Sequence, residues 1–185
     1  MTPESVARDA SFEPELDRIL VGDRTPGPVS LTEYDPGWPR RFESLRAELG
    51  DQARAIEHIG STAVPGLIAK PIVDILVTVE KVDPDTTYAP TIEGLGYELR
   101  VREPRHRMFR NPARDVHLHV WPEGSREAVD YLLLRDWLRS SEVDRDEYAR
   151  LKQELAREDW PDINYYARAK GPLIEELLSR ARSER

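Results

Sequence analysis

The chain has 185 residues and no cysteine. That excludes disulfides, thiolate metal sites and a cysteine nucleophile, and it is compatible with a cytosolic protein. No run approaches the ~20 apolar residues of a membrane span. Met1-Thr2-Pro3-Glu4-Ser5 lacks the basic-then-apolar pattern of a signal peptide. A cytoplasmic location with no membrane partner is the expectation. Net positive charge is also lacking: 27 Lys and Arg against 35 Asp and Glu leave a net charge of -8. A protein that grips phosphate backbones in general is normally basic, so broad nucleic-acid binding is not expected. There is no Walker-type Gly-Lys-Ser/Thr loop, no Gly-x-Ser-x-Gly nucleophile elbow and no internal repeat.

What is present is a length suited to one domain. Residues 1–28 are polar and end at Pro26-Gly27-Pro28, which breaks any regular structure. They read as an N-terminal arm with one short helix from about Pro14 to Leu20. Residues 29–185 read as the domain proper, with a sheet part to about 122 and a helical part over 125–182. Leu31 to Tyr34 suggests a strand. Trp38-Pro39 leads into a helix through Phe42, Leu45 and Leu49, stopped at Gly50. Strands are expected at Ile56–Ile59, Lys70–Val79, Tyr97–Val101, His106–Arg110 and Asp115–Trp121, with a short helix between Asp83 and Leu95.

From Ser125 onward the pattern is helical. Val129, Leu132, Leu133 and Trp137 form one apolar stripe. Ser141 to Asp144 resembles a capping box that opens a second helix through Tyr148, Leu151 and Leu155. A third starts near Asp162 and should kink or split at Gly171-Pro172. Strands followed by helices indicate an α+β fold, a small mixed sheet backed by helices.

Strand alternation sorts the chemistry. Val73, Ile75, Val77 and Val79 share an aliphatic face, and Ile72, Asp74, Leu76 and Thr78 share the other. Burying the Asp74 carboxylate unpaired would cost several kcal/mol, so it must meet a cation, a hydrogen-bond network or solvent. Its functional readings are metal ligand or general base. His117 and His119 project from one face, with Cα atoms roughly 6.5–7 Å apart. If their strand neighbours that of Asp74, all three share one cleft.

Gly60 permits close backbone approach, and Ser61 can donate to a phosphate oxygen. Lys70, just before Pro71, is a candidate phosphate contact. His58 reads as a ligand or as a packed core histidine. The arginines between positions 100 and 114 read as a solvated hairpin or as a local anion site. Arg135, Asp136, Lys152 and Lys170 read as surface or salt-bridge residues, and Asp136 could pair with Lys152.

Four segments resemble the GrpB family. They are Tyr34-Asp35-Pro36-Gly37-Trp38-Pro39, Glu57 through Leu67, Ala69-Lys70-Pro71-Ile72-Val73-Asp74, and His117-Leu118-His119-Val120. Arg135-Asp136-Trp137-Leu138-Arg139 and Tyr148-Ala149-Arg150-Leu151-Lys152 fit the family's helical tail. That family is similar to nucleotidyltransferases of the polymerase-beta type. The resemblance implies a nucleotidyltransferase-like mixed sheet flanked by helices, with a helical C-terminal region over the cleft.

It further implies nucleotide phosphates at Gly60, Ser61 and Thr62, with Lys70 and Arg107 stabilising charge. Asp74 takes the place of the first carboxylate of an Asp-x-Asp/Glu pair. Asp74 and His119 would hold Mg2+, with Mn2+ as the alternative, and Asp74, His117 and His119 would be the catalytic group. The second carboxylate of the pair falls at Leu76, so the acidic set departs from the superfamily's pattern, and Glu57 is the one nearby substitute. The implied activity is transfer from ATP or another NTP to a small acceptor, or activation of that acceptor. Two alternatives stand beside it: a non-catalytic module for a nucleotide or phosphorylated metabolite, and a metal-dependent hydrolase using Asp74, His117 and His119.

Overall fold

A computed structural model describes residues 12–24, 26–50 and 53–184. Residues 1–11 and Thr25 of the expected arm lie outside the described residues. The elements are α1 (Phe12–Ile19), α2 (Trp38–Leu49), β1 (Ala55–Ile59), β2 (Val73–Val79), α3 (Ala89–Gly94), β3 (Glu98–Glu103), β4 (His106–Arg110) and β5 (Val116–Pro122), followed by α4 (Arg126–Ser140), α5 (Glu142–Leu155), α6 (Ile163–Ala169) and α7 (Gly171–Ser183). Two 3-10 turns, Ser61–Ala63 and Asp85–Thr87, follow β1 and precede α3.

The five strands form one mixed sheet in the order β1-β2-β5-β4-β3. Only the central pair, β2 with β5, is parallel. This is the α+β architecture expected, with the helical third at the C-terminus. Leu31 to Tyr34 does not form a strand; it contributes a single bridge between Thr32 and Ala69.

The two faces of the sheet differ in chemistry. On one face Val73, Ile75, Val77, Phe109, Val116, Leu118 and Val120 pack against Trp38 and Phe42 of α2 and Ala89 and Ile92 of α3. Removing such aliphatic side chains from water contributes about 25 cal/mol per Å2. On the other face Ile59 and Leu76 pack with Ala128, Tyr131 and Leu132 of α4. That second cover is partial, and it leaves the polar residues of β2 and β5 facing a cleft.

Capping follows the sequence. Ser125 accepts from the Ala128 amide, Ser141 from the Asp144 amide and Asp162 from the Asn164 amide. The box at Ser141 is half formed. The Asp144 carboxylate accepts from Trp137 Nε1 at 2.6 Å and from Arg180 instead. The chain breaks at Lys170, and α7 restarts with Pro172 in its first turn, where the missing amide is not needed. Val129, expected in the α4 stripe, is exposed, whereas Leu133 and Leu138 are buried.

The described residues of the arm pack onto the domain. Phe12 and Leu16 of α1 are buried against Leu155, Trp160, Tyr165 and Tyr166. Leu20 then bridges Val101, and the Val21 amide donates to the Arg100 carbonyl. No helix among the described residues is long and apolar enough to cross a membrane.

Candidate functional site

The parallel pairing of β2 with β5 sets Asp74 opposite His117 and Leu76 opposite His119. Side chains at Asp74, His117 and His119 therefore leave the sheet on the same side. Asp74 Oδ1 lies 3.3 Å from His117 Nδ1 and 3.6 Å from His119 Nε2. Burial alone would raise the Asp74 carboxyl, but the two imidazoles outweigh it and hold the group well below its ordinary range. Burial lowers His117 despite that carboxylate.

Gly60 ends β1 beside this group. Its φ is +69°, and a Cβ there would come 2.5 Å from Asp74 Oδ2. Only glycine fits both the left-handed backbone and the close carboxylate. The following turn is clamped by α4: Arg139 Nε donates to the Ala63 carbonyl at 2.9 Å, and Arg135 Nη1 donates to the His58 carbonyl at 3.1 Å. Arg135 also binds the Glu57 carboxylate at 2.9 Å. Glu57 is thus committed to α4 and does not join Asp74. The Leu76 side chain is fully buried with Ile59 and Ala128.

Three lysines line the same cleft of about 370 Å3 as Asp74. Lys152 is only 2% exposed. Its Nζ donates to Ser61 Oγ at 3.0 Å and to the Ile68 carbonyl, and lies 5.1 Å from the Tyr148 ring centroid. Lys70 and Lys170 both stand over the Tyr166 ring, with Nζ 5.7 Å and 4.8 Å from its centroid. Burial, reinforced by the charges of Lys170 and Lys70, pushes Lys152 down to about 7. Burial and the charge of Lys170 push Lys70 down to about 8. Lys170 is lowered by burial as well, although Asp74 opposes the shift.

The cleft therefore gathers Gly60, Ser61, Lys70, Asp74, His117 and His119, as expected. Two expected residues are placed otherwise. Thr62 reaches the cleft wall, but its hydroxyl donates to the Ile72 carbonyl at 3.1 Å and meets His58 Nε2 at 3.0 Å. It has no hydrogen left for a phosphate. Arg107 faces the opposite side of the sheet. It pairs with Val120 of β5, one position out of phase with His119, and binds Asp83 and Asp85. Strand alternation sends it away from the histidines. His58 is a core residue: it stacks on Phe42 with ring centroids 5.0 Å apart, and burial lowers it to about 4.

Lys152 and Lys170 were not legible as site residues. Asp136, the proposed partner of Lys152, binds Arg135 and Arg139 instead. A signal for Lys152 did exist. It sits between Tyr148 and Leu155 in the buried stripe of α5, where a lysine costs desolvation unless something binds it. His106 was also missed. It alternates with Met108 and Arg110 on the face of β4 that looks toward His119.

As for an ion, the donors clustered at Asp74 are one carboxylate and two imidazoles. Mg2+ wants an all-oxygen octahedral shell and commonly takes most of it from water and substrate phosphates. Within that cluster Asp74 alone would supply oxygen. Mn2+ accepts imidazole more readily.

Comparison with known proteins gives one consistent result. The family model for "GrpB protein" matches residues 28–180. A UPF0157 protein of Halalkalibacterium halodurans is 46% identical over 176 residues, covering 90% of each chain. A UPF0157 protein of Streptomyces coelicolor is 42% identical over 169 residues, covering 90% of this chain and 91% of that one. The crystal structure of conserved protein GrpB from Enterococcus faecalis superimposes with a TM-score of 0.71 at 31% identity, over 84% of this chain and 98% of that one.

Proposed function

The chain belongs to the GrpB family, and we propose that its cleft binds an NTP, ATP being the first to test, and transfers the nucleotidyl group to a small acceptor. The observation that carries this reading is the trio Lys70, Lys152 and Lys170. In a chain of net charge -8, three ammonium groups converge on one cleft, and two are pushed down to about 8 and about 7. Such a cluster is unfavourable by itself, and an anion with several charges relieves it. A polyphosphate is the metabolic anion of that kind. Ser61 and the Gly60 turn border the same space.

In the proposed reaction an acceptor oxygen or nitrogen attacks the α-phosphorus, and the bond from that phosphorus to the bridging oxygen breaks. Pyrophosphate leaves with its charge held by the lysines, and the His117 imidazole, which burial favours in its neutral form, takes the acceptor's proton. A divalent ion accompanying the NTP would neutralise phosphate charge in this setting.

Thermal melts with ATP, other NTPs, pyrophosphate and adenosine test the binding. NTPs and pyrophosphate should raise the melting temperature and adenosine should not. No stabilisation by any NTP or by pyrophosphate sinks the proposal.

Leu76 favours a second reading. It stands where a second carboxylate would stand and is packed into an apolar cluster. A non-catalytic module would therefore bind nucleotide without turning it over. Phosphorus NMR separates the two readings: pyrophosphate appears in an acceptor screen only under the first.

A further inference from the structure

The ligating atoms of Asp74, His117 and His119 all lie within 4.8 Å of one another. A dication with bonds of roughly 2.1 Å holds neighbouring donors roughly 3.0–3.4 Å apart, in octahedral or tetrahedral geometry. The separations of 3.3 Å and 3.6 Å from Asp74 Oδ1 are near that spacing.

A second observation lies behind His119. His106 is buried on β4, parallel to the His119 ring and stacked on Trp121 with centroids 4.4 Å apart. Its Nδ1 is 2.6 Å from Glu103 Oε2, and its Nε2 is 3.3 Å from His119 Nδ1. An ionised carboxylate only accepts, so His106 Nδ1 carries the hydrogen. A neutral imidazole has one N–H, so His106 Nε2 is an acceptor and His119 Nδ1 donates to it. The ring's other nitrogen, His119 Nε2, faces the Asp74 carboxylate at 3.6 Å.

We infer that Asp74, His117 and His119 form a protein-held site for a borderline divalent transition ion, with Glu103 and His106 as positioning residues that set the His119 tautomer. Two nitrogens and one carboxylate suit Mn2+, Fe2+, Co2+ or Zn2+ better than Mg2+. A relay from carboxylate to imidazole to ligand imidazole is the kind of outer support that orients a metal-bound histidine. The site goes beyond the nucleotide reading and does not require it, because it needs no phosphate ligand.

The probe is Co2+ added to chelator-stripped protein without nucleotide, followed by its visible absorption bands and by thermal melting. One Co2+ per chain should bind, and a 100-fold excess of Mg2+ should not displace it. Asp74→Asn and His117→Ala should abolish the bands. His106→Phe keeps a ring on Trp121 but gives His119 no acceptor. It should weaken Co2+ binding about 10- to 100-fold, with the melt of the metal-free protein reporting separately on folding. A purely structural role for His106 would move that melt and leave the Co2+ affinity alone.

The proposal is overturned if Co2+ fails to bind at millimolar concentration. Displacement by equimolar Mg2+, or bands that survive in Asp74→Asn, would also overturn it. An unchanged affinity in His106→Phe removes the positioning role. Failure of ATP and pyrophosphate to bind, with Co2+ still bound, removes the nucleotide reading and leaves the metal site standing.

Discussion

Arg107 and Lys152 are both buried cations, 3% and 2% exposed, on opposite faces of one sheet. Arg107 is saturated. Asp83 and Asp85 neutralise it, and the carbonyls of Glu103 and His106 take further donors. Lys152 has only neutral partners: a serine hydroxyl, a carbonyl and a tyrosine ring. The first arrangement closes a structure, and the second leaves a charge to be met by something from outside. Burial alone does not separate a structural cation from a binding one; the sign of the neighbours does.

The sharpest test of that contrast is removal of Arg107. Arg107→Met leaves the Glu103 and His106 carbonyls without this donor and Asp83 without this partner, while Asp85 keeps Arg102; it should cost about 3 kcal/mol of stability, read as a lower denaturant midpoint. The pyrophosphate affinity of the folded fraction should be unchanged, and a loss of that affinity would break the comparison.

The core face should also respond to acid. His58 is held neutral by burial, at about 4 against an ordinary 6.5. The unfolded chain binds the extra proton between those values, so stability is complete above pH 6.5 and declines as pH falls toward 4. The span is on the order of 3 kcal/mol. Urea melts across this range check it, and His58→Asn should flatten the slope.

Lys152→Met should act the other way from Arg107→Met. Removing a buried charge without a counterion should leave stability equal or higher. ATP and pyrophosphate affinity should fall roughly 10- to 100-fold, as loss of a charged hydrogen bond would give. Calorimetry on the variant decides it, and undiminished affinity would place Lys152 with Arg107 as a structural group.

The smallest effect concerns pH. Lys152 and Lys70 lose their protons as pH rises through about 7 and about 8. The anion needs the charged forms, so pyrophosphate affinity should be highest near pH 6 and decline by about tenfold toward pH 9. Proton uptake on binding should appear near neutral pH as a dependence of the heat on buffer ionisation.

Much of the fold was legible because its signals are local. Alternation from Lys70 to Val79 and from Asp115 to Trp121 marked two strands and their faces, observed at Val73–Val79 and Val116–Pro122, and the Gly171-Pro172 signal fell where α6 gives way to α7. The misses come from features that local pattern does not carry. Arg107 sits among arginines that look alike in sequence, and only its register with Val120 turns it away from the cleft. Thr62 follows Ser61 in the loop, but its hydroxyl is turned inward to Ile72. Lys152 and Lys170 carried ordinary surface expectations, because the groups they approach lie far away in the chain.

The amino-acid sequence by itself determined that Asp74 leaves β2 on the side away from the aliphatic core, and that His117 and His119 leave β5 together. A period of two needs only neighbouring residues. Tertiary structure alone decided that β2 and β5 run side by side in parallel, and that α5 and α6 bring Lys152 and Lys170 over Asp74. Those meetings depend on which faces bury one another across the whole chain, and no local period encodes that.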